Sequence, residues 1–176
     1  MRTLRSLAPL LLVALCGCYK VSTEVSEYSP YTGRDPLTIR GVWPGQDGAE
    51  VIALLGPPEH RASSGYGAET LQWRRFSNVA VTLETAKGRV TEVLGDEVTA
   101  GKDTIVSKGM SEADVRQVLG KPAKEQTHYR PSGSGVISLG RKQAGRTLWY
   151  RRDGRTFEIS VQENGVAYVR LRLPPP

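Results

Sequence analysis

Side chains able to do chemistry are few in this chain, and they are scattered. There are two histidines, His60 and His128. Each follows a short helical stretch and sits in a polar segment. Neither has a His-x-x-x-His partner or clustered carboxylates, so both read as solvent-exposed loop residues and no metal site is expected. No Gly-x-Ser-x-Gly elbow occurs, and Ser132-Gly133-Ser134-Gly135 lacks a strand–turn–helix setting and reads as flexible loop. No Gly-x-x-x-x-Gly-Lys-Ser/Thr run is present to cradle a phosphate. Acidic residues are dispersed, and nothing brings a nucleophile and a base together. The expectation is a protein that is not an enzyme and carries no cofactor.

What the sequence does concentrate is arginine on strand-like segments: Arg74, Arg75, Arg151, Arg152, Arg155, Arg170 and Arg172. Arg170 and Arg172 share a face opposite Val169, Leu171 and Leu173. Such a face serves either solubility or contact with anionic lipid headgroups or an acidic protein surface. Trp73, Trp149 and Tyr150 fall on corresponding strands and read as core packing or as an aromatic anchor for a partner. The candidate contact residues are Arg141, Lys142, Arg146, Arg151, Arg170, Arg172 and Trp149.

The N-terminus reads as a targeting segment. Arg2 and Arg5 precede an apolar run from Leu7 to Leu15, well short of the ~20 residues of a membrane span. Leu15-Cys16-Gly17-Cys18 resembles the lipobox of bacterial lipoproteins. That resemblance implies a signal peptide over residues 1–17 and a lipid on Cys18. The remaining chain then has no thiol, which excludes a disulfide, a zinc–thiolate site and a cysteine nucleophile. Tyr19 after the acylated cysteine, in place of Asp, favours the outer membrane, with the protein facing the periplasm. The formal net charge of +6 loses two units with Arg2 and Arg5. The remaining surplus serves solubility or anionic partners. Nucleic acid fits poorly, because the compartment is wrong and no recognition module is present.

Two helices must position the rest. In Gly109–Pro122, Ser111 suits the N-cap and Glu112 and Asp114 suit the dipole. Val115, Val118 and Leu119 make one apolar stripe, and Gly120 and Pro122 end the helix. Gly45–Pro58 matches this stretch without a gap, with Asp47 as cap and Glu50 completing a capping-box variant. The duplication organises the chain. Residues 18–36 read as a flexible tether reaching ~20–25 Å. A first repeat covers 37–96 and a second 104–173, joined by a polar stretch. After the first helix, a polar loop over 59–69 leads into a meander. Leu71–Phe76 is its first strand, Val79–Leu83 alternates cleanly, and Val90–Leu94 returns. In the second repeat Leu148–Arg152 matches Leu71–Arg75, followed by Phe157–Val161 and Val166–Leu173. Lys124–Thr147 reads as a longer, flexible basic loop with a short strand inside.

These features resemble the BamE family (SmpA/OmlA) of outer-membrane lipoproteins. The resemblance rests on Ile105-x-x-x-Gly109-Met110-Ser111-x-x-x-Val115-x-x-x-Leu119-Gly120-x-Pro122. The aromatic strand at Trp149-Tyr150 and the hairpin Phe157-x-Ile159-x-Val161-x-x-x-Gly165-Val166 extend it. It implies an α+β fold of tandem repeats, each a short helical segment followed by an antiparallel three-stranded meander. It also implies a lipid-anchored, non-catalytic envelope scaffold in outer-membrane protein assembly or envelope integrity. A membrane held through the lipid and an envelope protein, a barrel-assembly component among the candidates, would be its partners. Members usually carry one such domain, and this chain carries two copies of the motif. Tandem units of this kind also resemble the β-lactamase inhibitor protein. That implies an alternative, a tethered inhibitor or clamp of a periplasmic protein.

Overall fold

A computed structural model describes residues 31–64, 67–74, 78–131 and 141–173. The expected signal peptide, Cys18 and the expected tether up to residue 30 lie outside the described residues, as do Arg75, Phe76 and Ser132-Gly133-Ser134-Gly135.

The chain begins with β1 (Leu37–Thr38) and α1 (Gly48–Leu55), followed by β2 (His60–Ser64), β3 (Ala68–Trp73), β4 (Val79–Glu84) and β5 (Arg89–Gly95). Next come β6 (Glu97–Ala100), β7 (Asp103–Ser107) and α2 (Glu112–Leu119). The last four strands are β8 (Lys124–Pro131), β9 (Arg141–Arg152), β10 (Arg155–Gln162) and β11 (Gly165–Arg172). Strands β1, β6 and β7 form a small sheet in the order β1-β6-β7. The other eight form one antiparallel sheet in the order β2-β3-β4-β5-β11-β10-β9-β8.

This corrects the expected architecture. Tandem α+β units, each a helix with a three-stranded meander, do not form. The molecule is mostly β, with two eight-residue helices. Each helix precedes four strands rather than three, and all eight strands share one sheet. The extra strands come from segments read as loops. His60–Ser64 pairs with Ala68–Gln72, and Lys124–Pro131 pairs with Arg141–Trp149. These segments are polar because they lie at the sheet edges, where an antiparallel strand can hydrogen-bond its neighbour without burying a row of apolar side chains. The polar stretch after Asp96 likewise pairs, as β6 with β7.

The two halves of the large sheet are joined at β5–β11, where Leu171 lies opposite Val93 and Val169 opposite Gly95. β4 alternates in burial, whereas β10 is buried on both faces from Thr156 to Val161. Val79, Val81 and Leu83 of β4 and Phe157, Ile159 and Val161 of β10 are buried apolar residues. They belong to one core with Val51 of α1, Val115 of α2, and Leu37, Ile39, Val98 and Val106 of the small-sheet region. Helices and small sheet therefore pack on the same apolar face, hereafter the inner face.

Capping follows the residue types. The Asp47 carboxylate accepts from the Ala49 N–H at 2.8 Å, and the Ser111 hydroxyl oxygen accepts from the Asp114 N–H at 3.2 Å. Both helices end at a glycine with positive φ, 80° at Gly56 and 81° at Gly120.

The segment before each helix is bolted to its hairpin in the same way. The Gly45 N–H donates to the Val90 carbonyl and the Val90 N–H to the Gln46 carbonyl, at 2.7 and 2.9 Å. The Gly109 N–H donates to the Val166 carbonyl and the Val166 N–H to the Met110 carbonyl, both at 2.8 Å.

Candidate functional site

The outer face of the large sheet carries the residues that alternate with the core. Register places Gln72 opposite Ala80, Ala80 opposite Leu94, and Leu94 opposite Arg170. The row continues through Glu158 and Trp149 to Lys124. A second row runs from Thr70 through Thr82, Glu92 and Arg172 to Thr156 and Arg151. Among the described residues, Val51 and Val115 of the helices and Ile39 and Val98 of the small-sheet region share the core with the inner-face strand residues instead. Leu94, Trp149, Tyr168 and Arg170 are half-buried, while Lys124, Arg151 and Arg172 are exposed.

The basic half of this face has a defined geometry. Arg170 lies 3.5 Å from Glu92 and 3.6 Å from Glu158, and its guanidinium stands over the Tyr168 ring at 5.9 Å. Glu158 also faces Arg172 at 3.7 Å. Its side chain is only 11% exposed, so this carboxylate is largely shielded from water between two cations. The Lys124 ammonium stands 5.1 Å from the centroid of the Trp149 ring. Ala123, Lys124, Trp149, Arg151, Thr156 and Arg172 line a hollow of about 500 Å³. At the opposite end of the same face, Gln72, Ala80, Leu94 and Tyr168 contribute to a smaller hollow of about 230 Å³.

The structure thus brings together three of the residues singled out from sequence: Trp149, Arg151 and Arg172. Arg170 adjoins them within the ion-paired row. Arg146 is elsewhere. It points to the inner side, where its guanidinium donates to Glu112 of α2 at 3.1 Å. Arg116 donates to the same Glu112 oxygen at 2.9 and 2.7 Å, and also to Glu125 of β8. Burial works against the charge of Arg116, and its bonds to Glu125 and Glu112 outweigh that, so its pKa is raised. The bond from Arg116 holds the Glu125 carboxyl below the usual carboxylate range. This network ties α2 to the β8–β9 hairpin. Arg141 and Lys142 open β9 at its far end from Trp149, and their side chains lie outside the described residues, as does Cys18. Arg152 and Arg155 are also on the inner side, over the rings of Tyr31 and Trp43.

Lys124 was not among the sequence-derived contacts. The segment Lys124-Glu125-Gln126-Thr127 has no apolar alternation to mark it as a strand. Only the pairing of Lys124 with Trp149 puts its ammonium over the indole. The histidines begin or lie within β2 and β8, the two edges of the eight-stranded sheet, rather than in loops. At ~4.8 Å per strand they are on the order of 30 Å apart. The His128 Nε2 instead meets the Thr147 hydroxyl at 2.7 Å. Among the described residues no group of three or more His, Cys, Asp or Glu could hold a metal ion.

Neither a comparison with protein families nor one with curated proteins returned a match. Among solved structures, the chain is similar to an extracellular protein containing an SCP domain from Bacillus anthracis. The TM-score is 0.50 at 15% identity, over 73% of this chain and 43% of that one. It is also similar to a cysteine-rich secretory protein from Staphylococcus aureus, with a TM-score of 0.50 at 12% identity over 74% of this chain and 44% of that one. The chain spans less than half the length of either protein. At these identities the likeness is one of fold.

Proposed function

We propose that this chain is a lipid-anchored binding module of the bacterial envelope. In this reading it is tethered through Cys18 to the outer membrane, facing the periplasm, and holds a protein partner on its outer sheet face without catalysis. One observation carries the reading: a single face runs across eight strands while both helices and the small sheet pack against the other side. A sheet needs one apolar face buried to fold. Here the second face is left half-exposed and carries Trp149, Tyr168 and arginines, residue types enriched where proteins bind one another. The lipobox and the BamE-like helix motif support an envelope setting, with a role in outer-membrane protein assembly or envelope integrity.

The test is photo-crosslinking in the cells of origin. Crosslinkers at Gln72, Ala80 and Tyr168 on the outer face are expected to capture an envelope protein, and one at Ala53 on the exposed side of α1 is not. Recovery of no envelope protein, or equal recovery from both sides, overturns the reading. Cys18→Ala is expected to move the chain from the membrane to the soluble fraction. Unchanged membrane retention would exclude Cys18 as the anchor.

The bare face also favours a second reading, a tethered inhibitor or clamp of a periplasmic protein. It is distinguished by adding the purified chain to the captured partner, whose activity would fall if the partner is an inhibited enzyme and persist if the chain is a scaffold.

A further inference from the structure

We infer that the hollow between Lys124, Arg151 and Arg172 is a subsite for the carboxylate side chains of an extended acidic segment in a partner protein. The inference rests on the binding-module reading and names the chemistry of the partner.

Charge complementarity is the first argument. Lys124, Arg151 and Arg172 come from β8, β9 and β11 and surround a floor of Trp149 and Thr156. Arg151 and Arg172 flank Thr156 on neighbouring strands, so their backbones stand roughly 10 Å apart, two strand spacings. That gap is wide enough for a carboxylate to enter between the two guanidinium groups. Their charges are unequally satisfied. Arg172 shares Glu158 with Arg170 at 3.7 and 3.6 Å, and among the described residues the Lys124 ammonium is engaged only by the Trp149 ring. Arg151 is exposed and makes no hydrogen bond or ion pair among the described residues. A guanidinium whose donors are free can take a carboxylate through two parallel N–H···O bonds. Arg151 is therefore the anchor, with Lys124 and Arg172 on either side.

The second argument separates a protein segment from a lipid surface, the other anionic candidate. Cations alone hold a bilayer by about 1 kcal/mol each, and firmer binding adds apolar groups that protrude beside them and enter the acyl boundary. Trp149 is half-buried in the sheet, and the face of its ring is occupied by the Lys124 ammonium. A peptide needs no such insertion. It also finds β8 beside the hollow, an edge strand that among the described residues pairs only with β9 and is exposed at nearly every position. Free backbone N–H and C=O groups along such an edge can pair with an extended chain over several residues, a ladder that a headgroup does not supply.

The experiment uses the full chain, with a fluorescent peptide alternating Glu and Ser, the same peptide with Gln for Glu, and vesicles of phosphatidylglycerol in phosphatidylcholine. The Glu peptide is expected to bind and the Gln peptide not. Arg151→Ala is expected to weaken binding by about tenfold, the loss of one charge-assisted contact. Lys124→Ala is expected to weaken it less, and Arg74→Ala, outside the hollow, not at all. Equal binding of the Glu peptide by Arg151→Ala overturns the subsite. So does binding of the vesicles, and not the peptide, with the same dependence on Arg151, which would make it a lipid site. Circular dichroism of each variant separates lost binding from lost folding, and Arg151→Lys, which keeps charge without the fork, is expected to restore binding in part. If crosslinking captures the same envelope partner with Arg151→Glu as with the unaltered chain, the acidic subsite fails while the binding-module reading stands. If crosslinking captures no partner, that reading fails whatever the peptide does.

Discussion

The two halves of the large sheet share a backbone plan and differ in what they display. In each, the segment before the helix makes the same pair of bonds to a valine, Val90 or Val166. In each, the residue that follows the post-helix turn donates to the second strand after the helix: Glu59 to Gln72 at 2.9 Å and Ala123 to Trp149 at 2.7 Å. Leu71 and Leu148 are both fully buried, as are Val81 and Ile159. Away from the core the match ends. Where the first half places Gln72 on the outer face, the second places Trp149. The first half's outer row runs through Thr70 and Thr82, and the second half's through Arg172 and Arg151. The helices also diverge. α2 carries Arg116, bonded to Glu112 and Glu125, in a half whose edge hairpin is longer. Shared positions hold the fold, and the two halves part in the side chains they place on the outer face.

The largest expected effect tests the shared core. Phe157 is 1% exposed. Phe157→Ala should cost about 3–5 kcal/mol, read from the shift in a urea-unfolding midpoint. Val79, 2% exposed in the other half, removes less volume when cut to alanine and should cost less. Equal costs would mean that the Phe157 site collapses around the lost ring while the Val79 site keeps its cavity.

Next in size is the hairpin turn against α2. Gly165 has φ of 93°, and a Cβ there would lie 2.3 Å from the Gly109 carbonyl oxygen. Gly165→Ala should destabilise by about 1–3 kcal/mol, through strain and displacement of the Gly109–Val166 bonds. Retention of the full unfolding midpoint would show that this bolt is dispensable.

A smaller effect sharpens the difference between the helices. The Glu125 carboxyl has a lower pKa in the folded chain than its ordinary value of 4.5, because Arg116 donates to its charged form. Its stabilising contribution is complete above that ordinary value and is lost as the pH falls through the folded-state pKa. Glu125→Gln should therefore lower the melting temperature at neutral pH, and the gap to the unaltered chain should close in acid. A gap independent of pH would assign the effect to packing. The smallest expected effect on stability is at the display surface. Arg151→Ala should change stability by no more than about 0.5 kcal/mol, since the side chain is exposed and holds no partner among the described residues.

Much of the scaffold was legible because its signals are local. Ser111 and Asp47 cap helices by side-chain chemistry contained within a few residues. The alternation of Val79, Val81 and Leu83, and of Val169 and Leu171 with Arg170 and Arg172, marks a strand with one buried face. Lys124–Tyr129 and His60–Ser64 carry no such alternation, because an edge strand is held by hydrogen bonds to one neighbour and needs little burial. The tandem three-stranded units failed for that reason. At the site, the arginines and Trp149 could be named from sequence, but not sorted. Arg146 and Arg151, five positions apart, point to opposite sides, one bonded to Glu112 of α2 and the other open on the outer face.

The two helices with their caps, the alternating core strands and the scarcity of catalytic side chains follow from the residues alone, since each depends on contacts or spacings within a short stretch. That β5 meets β11, that two halves become one eight-stranded sheet, and that Lys124 stands with Arg151 and Arg172 around Trp149 emerge from the folded chain. Those outcomes depend on register between strands far apart in the chain, and a shift of one residue would have turned each of these side chains to the other face.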